Sequence, residues 1–103
     1  MKINTTWMFK EYPGDTKSKT YRFVTNDKKV YKRMRQRKDF SKAVVYDNYP
    51  MWDYRVNRNS LKQAKRTLCK ITHGLVNYNA EKEEFFAESG TYIARNKVSM
   101  IIK

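Results

Sequence analysis

The residues best suited to chemistry lie in one basic stretch, residues 59–75. Apolar side chains recur there at the spacing of one stripe along an α-helix, namely Leu61, Ala64, Leu68, Ile71 and Leu75. At 100° per residue, the opposite side carries Lys62, Gln63, Arg66, Lys70 and His73, with Lys65 at its edge. No acidic residue occurs between Asn59 and Tyr78. The stretch predicts a helix that has one side in a core and a basic side suited to a polyanion such as nucleic acid.

A second basic segment covers residues 25–42, which hold eight basic and two acidic residues. Thr25, Asn26 and Asp27 are consecutive N-cap candidates for a helix that runs from Lys28 to about Lys38. Its narrow apolar stripe consists of Val30, Tyr31 and Met34. We predict phosphate contacts from the basic residues of both helices, namely Lys28, Lys29, Lys32, Arg33, Arg35, Arg37, Lys38, Lys62, Arg66 and Lys70. For a single-stranded ligand, the candidates for base stacking are Tyr12, Tyr31, Tyr49 and Tyr54.

Enzymatic sites have weaker support. Cys69 and His73 are four residues apart on one side of the predicted helix, but one Cys and one His cannot complete a tetrahedral zinc site. A Cys–His nucleophile pair there lacks a third residue to orient it. The carboxylates form no paired motif, and no glycine-rich phosphate loop is present. We therefore expect no metal, no cofactor and no catalysis, while a metal-independent ribonuclease built from Arg, Lys and Tyr stays an open alternative that no spacing selects.

Composition indicates the class of protein. The chain has 103 residues and a formal net charge of +13, so a partner that relieves the self-repulsion is expected. Fifteen per cent of the residues are aromatic, which argues for one folded domain over residues 1–103 and against disorder. The single cysteine favours a reducing compartment, and no stretch has the length and apolarity of a signal peptide or membrane helix. The expected location is cytoplasmic, with no membrane partner.

A protein partner is the alternative to nucleic acid. A small basic domain can bind an acidic surface of a host protein and block it. Lys, Asn and Tyr are abundant, a bias typical of AT-rich genomes such as those of many phages, which often encode inhibitors of this size. The acidic island formed by Glu81, Glu83, Glu84 and Glu88 would give such an inhibitor a bipolar surface. Alternatively, these carboxylates pair within the chain with Lys62 or Lys65.

Periodicity and turn signals give the order β-β-α-β-β-α-α-β-β. The strands are expected at residues 2–9, 20–24, 43–46, 51–57, 91–94 and 98–102. A third helix is expected at 79–90, where Asn79 would cap its start and Gly90 would end it. The second helix is expected to start at Asn59 or Ser60 as its cap, and Gly74 is expected to end it in a left-handed conformation. The predicted fold is a small α+β domain whose antiparallel sheet is built from hairpins, with about three helices packed on it.

Overall fold

A computed structural model describes residues 4–44 and 51–91 of the chain. Their elements are β1 (Thr5–Lys10), β2 (Thr20–Thr25), α1 (Lys28–Gln36), β3 (Phe40–Val44), β4 (Trp52–Asn57), α2 (Leu61–Thr72), β5 (Val76–Asn79) and β6 (Glu84–Glu88). The strands form one antiparallel sheet in the order β3-β4-β2-β1-β6-β5. This part of the chain therefore has an α+β fold with six strands and two helices.

Both helices pack on the same face of the sheet. Met8 lies opposite Phe23, and Phe23 lies opposite Tyr54, so these side chains project from one face. They form one buried cluster with side chains from both helices: Val30 and Met34 of α1, and Ala64, Leu68 and Ile71 of α2. The apolar stripes predicted for the two helices are thus confirmed as their buried sides, except that Leu61 is 38% exposed and Tyr31 and Leu75 are half-buried.

The strand predicted at residues 2–9 forms β1 from Thr5 onwards, with residues 2 and 3 outside the described residues, and burial alternates along its first four residues. Met8 and Thr6 point towards the helices and are fully buried, whereas Trp7 and Phe9 lie on the other face and are half-buried. The buried hydroxyl of Thr6 forms a hydrogen bond of 2.8 Å with that of Thr25 on the neighbouring strand. This bond satisfies a polar group that would otherwise destabilise the core.

Each helix begins at a residue that the sequence marks as a cap. The Asp27 carboxylate accepts a hydrogen bond from the Lys29 main-chain N–H at the start of α1. The Ser60 hydroxyl accepts one from the Gln63 main-chain N–H at the start of α2, and the Gln63 side chain in turn accepts one from the N–H of Asn59. This reciprocal pair resembles a capping box, with the return bond displaced by one residue.

The helix predicted for residues 79–90 is wrong, because this segment forms the turn and second strand of the β5–β6 hairpin. The Asn79 side chain does accept hydrogen bonds from the N–H groups of Glu81 and Lys82, as an N-cap would. Glu83 then adopts a positive φ of 52°, which reverses the chain. Ala87 pairs with Thr6 of β1 and is fully buried, so pairing with an existing strand determines the structure of this segment.

The end of α2 also differs from expectation. His73, and not Gly74, adopts the left-handed conformation, with φ 53°. Gly74 is needed for space, because a Cβ atom there would lie 2.2 Å from the carbonyl oxygen of Glu88. Gly90 does have a left-handed backbone, with φ +85°, and its N–H donates to the carbonyl of Thr72.

Two further predicted elements fall partly or wholly beyond this description. The strand expected at 43–46 starts earlier, at Phe40, and residues 45 and 46 lie outside the described residues. In the hairpin expected at 91–102, only Thr91 is described.

Candidate nucleic-acid interface

The two helices lie on the same face of the sheet, and both present exposed basic side chains. The exposed members of this set are Lys28, Lys29, Lys32, Arg35 and Lys38 around α1, and Lys62, Arg66 and Lys70 on α2. We call these eight side chains the basic helix surface. None of them takes part in the four ion pairs found among the described residues. Their charges are therefore available to an anionic ligand.

Arg33 is positioned differently from the exposed members of its helix. It is half-buried between α1 and α2, and its Nη1 donates a hydrogen bond of 2.6 Å to the main-chain oxygen of Ile71. This carbonyl belongs to the last turn of α2, where a positive charge interacts favourably with the helix dipole. Arg37 is also half-buried, at the C-cap of α1. Arg33 and Arg37, both predicted as phosphate contacts, therefore lie partly inside the fold.

A structural arginine that the sequence reasoning did not single out is Arg58. Its Nε donates to the hydroxyl of Thr67 at 2.8 Å, and its Nη2 forms an ion pair of 2.8 Å with Asp39. Its guanidinium also lies over the ring of Phe40, 5.9 Å from the ring centroid. Arg58 therefore links α2 to the segment between α1 and β3.

The four stacking candidates have different environments. Tyr12 is 57% exposed on the β1–β2 loop, whereas Tyr54 is buried in the core and presents no ring face to a base. The ring of Tyr31 stacks on Trp52, with centroids 4.6 Å apart, and the guanidinium of Arg35 lies 5.4 Å from its centroid. Tyr49 lies outside the described residues. Only Tyr12 is therefore an exposed candidate in the described part of the chain.

The end of β1 and the β1–β2 loop add basic residues that were not among the predicted contacts. Lys10 of β1, with Lys17 and Lys19 of the loop, lines a cleft of about 400 Å³ next to the start of α2. No acidic side chain of the described residues lines this cleft. The sequence does show Lys17 and Lys19 on a long loop, but it does not show that the loop lies beside α2.

A compact charge cluster occupies the sheet face opposite the helices. Arg22 forms a bidentate interaction with Asp53, which is almost fully buried, and its Nη1 lies 3.4 Å from Glu11. Arg55 approaches the same Glu11 oxygen at 3.3 Å. The sequence pattern does not predict this cluster, because its members come from β2, from β4 and from the residue after β1, and they meet only through strand pairing. Its two positive and two negative groups balance, so it adds nothing to the attraction of a polyanion.

Cys69 and His73 show no feature of a reactive pair. Cys69 is half-buried, and burial raises the pKa of its thiol, which disfavours the nucleophilic thiolate. Within residues 4–44 and 51–91, no three His, Cys, Asp or Glu side chains are grouped so as to hold a metal ion.

An apolar groove lies on the helix side of the sheet, beyond the first turn of α2. Its volume is about 730 Å³, and its walls include Met8, Tyr21, Leu61, Tyr78 and Phe85. Of the residues that the structure describes, the charged ones in its lining are Lys10, Lys82, Glu83 and Glu84, whose formal charges sum to zero. The ion pairs expected between the acidic island and Lys62 or Lys65 do not occur in the described structure; the Lys65 ammonium lies 5.4 Å from the ring centroid of Phe85.

Neither described helix is long and apolar enough to cross a membrane. In comparisons with models of protein families, with curated proteins and with solved structures, the chain matches none.

Proposed function

We propose that this protein binds nucleic acid without cleaving it, mainly through contacts between phosphates and the basic helix surface. The observation that supports this function is that two basic segments, which are separate in the sequence, contribute helices to the same face of the sheet. Residues 25–42 contain eight basic and two acidic residues, which gives a net charge of +6. Residues 59–78 contain four basic and no acidic residues, which gives +4. Both helices contribute to one core on the same face of the sheet, so the outer sides of both face away from the sheet.

Binding of this kind has a characteristic dependence on salt. Each phosphate that the protein neutralises releases condensed counterions. The plot of the logarithm of the association constant against the logarithm of the salt concentration therefore becomes steeper, with a slope more negative by about 0.9 per phosphate for duplex DNA and about 0.7 for single strands. DNA and RNA are equal candidates, because phosphate contacts do not distinguish them. The reducing interior of a cell, the cytoplasm, is the proposed compartment.

The test is a set of titrations with duplex DNA, single-stranded DNA and RNA, between low and physiological salt. We expect binding that weakens steeply as salt rises. Absence of binding to all three at low salt would refute the proposal. The same mixtures, incubated and separated on a gel, test the ribonuclease alternative: cleavage that is lost on substitution of Arg or Tyr would support it.

A second candidate function is the blocking of a host protein, as expected of a phage-encoded inhibitor. The observation in its favour is the apolar groove, where Leu61 is 38% and Tyr78 is 54% exposed. Exposed apolar area with balanced charge suits a protein better than a polyanion. A pull-down from lysate with and without nuclease separates the two functions. A stoichiometric protein partner that survives nuclease treatment would favour the inhibitor.

A further inference from the structure

We infer that the cleft between the start of α1 and the end of α2 binds one phosphate group of the nucleic-acid strand. This inference rests on the proposed function and assigns a specific contact within it. The cleft has a volume of about 350 Å³. Lys29 and Arg33 line it from α1, His73 lines it from the end of α2, and Asn4 and Ser89 lie on its sheet side.

Hydrogen-bond donors in this cleft exceed the acceptors available to them. The ammonium of Lys29 and the imidazole of His73 form no hydrogen bond or ion pair with the described residues. Arg33 uses Nη1 on the oxygen of Ile71, which leaves the N–H groups of its Nε and Nη2 for another acceptor. Three donor groups from two helices thus share one cavity.

Among the described residues, the only acidic side chain in the lining is already engaged. Asp27 is 5% exposed; its Oδ1 accepts from the main-chain N–H of Lys29 at 2.9 Å, and its Oδ2 accepts from the hydroxyl of Ser89 at 2.6 Å. With two positive groups and one negative group, the lining carries +1 when His73 is neutral. These donors suit an acceptor with several oxygens, and a phosphate group has this chemistry.

The backbone holds the donors in place. Lys29 and Arg33 are four residues apart and share the flank of α1 that meets α2, as the bond from Arg33 to Ile71 shows. His73 is held at the C-cap of α2 in a left-handed conformation, with φ 53°. Asn adopts this conformation readily, so His73→Asn removes the imidazole at low risk to the fold.

The experiment uses the imidazole signals of His73, the single histidine of the chain, in NMR titrations. The probes are inorganic phosphate and a short single-stranded oligonucleotide. We expect both probes to move these signals. A double-mutant cycle with Lys29→Gln and His73→Asn follows the affinity for the oligonucleotide. Each single change is expected to weaken binding about threefold to tenfold, because one charge-assisted contact is lost.

If both side chains hold the same phosphate, the double variant should lose less than the product of the two single losses. The control cycle pairs His73→Asn with Lys62→Gln, at the other end of α2, where the losses should multiply. An oligonucleotide that binds without moving the His73 signals would overturn the inference and leave the proposed function standing. Signals that respond to inorganic phosphate in a protein that binds no oligonucleotide would support the cleft and refute the proposed function. Signals that respond to neither probe would overturn the inference as well.

Discussion

The Nη1 atom of Arg33 on α1 donates a hydrogen bond of 2.6 Å to the main-chain oxygen of Ile71, in the last turn of α2. A residue that the sequence marks only as a basic surface position therefore also holds the two helices together. It supplies a donor to a carbonyl that has no partner within its own helix.

Arg33→Gln should destabilise the fold, because this carbonyl loses a charged donor next to the helix C-terminus. We expect a loss of about 1.5–3 kcal/mol in the free energy of unfolding, measured by urea denaturation. Lys32→Gln is the matched control. It removes one charge from the exposed position that precedes Arg33, and it should change the free energy of unfolding by less than about 0.5 kcal/mol. Equal effects of the two changes would contradict a structural position for Arg33.

Charge reversal at Arg66 and Lys70 together should weaken nucleic-acid binding by more than about tenfold, because attraction to phosphate becomes repulsion. The melting temperature should stay within a few degrees, since both side chains are exposed and outside the buried cluster. Lys82→Glu makes the same charge change on the β5–β6 turn, away from the basic helix surface, and should have a smaller effect than Lys70→Glu. If binding depended on total charge alone, Lys70→Glu and Lys82→Glu would weaken it equally, and this result would contradict the prediction.

Gly74→Ala should destabilise the fold. The new Cβ would lie 2.2 Å from the backbone oxygen of Glu88, so the end of α2 must separate from β6. We expect a loss of about 3 kcal/mol in the free energy of unfolding. Gly14→Ala is the control, because a Cβ there has no atom within 4 Å. A tolerated Gly74→Ala would show that α2 and β6 are packed less closely.

Asp53→Asn should destabilise the protein by about 3 kcal/mol, because it removes a charge that is buried against Arg22. Asp39→Asn breaks the ion pair with Arg58, but the Asp39 side chain is half-exposed, so the expected loss is below about 1 kcal/mol. Denaturation of both variants in parallel gives the comparison. Similar losses would mean that burial does not strengthen the first pair.

The thiol of Cys69 should react slowly with alkylating reagents near neutral pH. Burial raises the pKa of Cys69, so less thiolate is present at a given pH than in an unfolded peptide. The alkylation rate should therefore rise at a higher pH in the folded protein than in the same protein in denaturant. A midpoint at or below that of the denatured chain would contradict this prediction and reopen Cys69 as a nucleophile.

The sequence alone determined the features that depend on neighbours a few residues away. The apolar stripes of α1 and α2, their caps at Asp27 and Ser60, and the alternation in β1 all follow from local spacing, because helix and strand periods act within one segment. The basic character of both helices was evident for the same reason.

Features that depend on distant partners follow from the tertiary structure and not from local spacing. Residues 84–88 form a strand because β1 offers a pairing edge, although their capping and charge signals favour a helix. The side of β1 that is buried follows from the helices, which cover only one face of the sheet. The cluster of Arg22, Asp53 and Glu11 exists because strand pairing joins segments that are far apart in the chain. Burial and pairing energies come from contacts between such segments, and local spacing does not specify which segments meet.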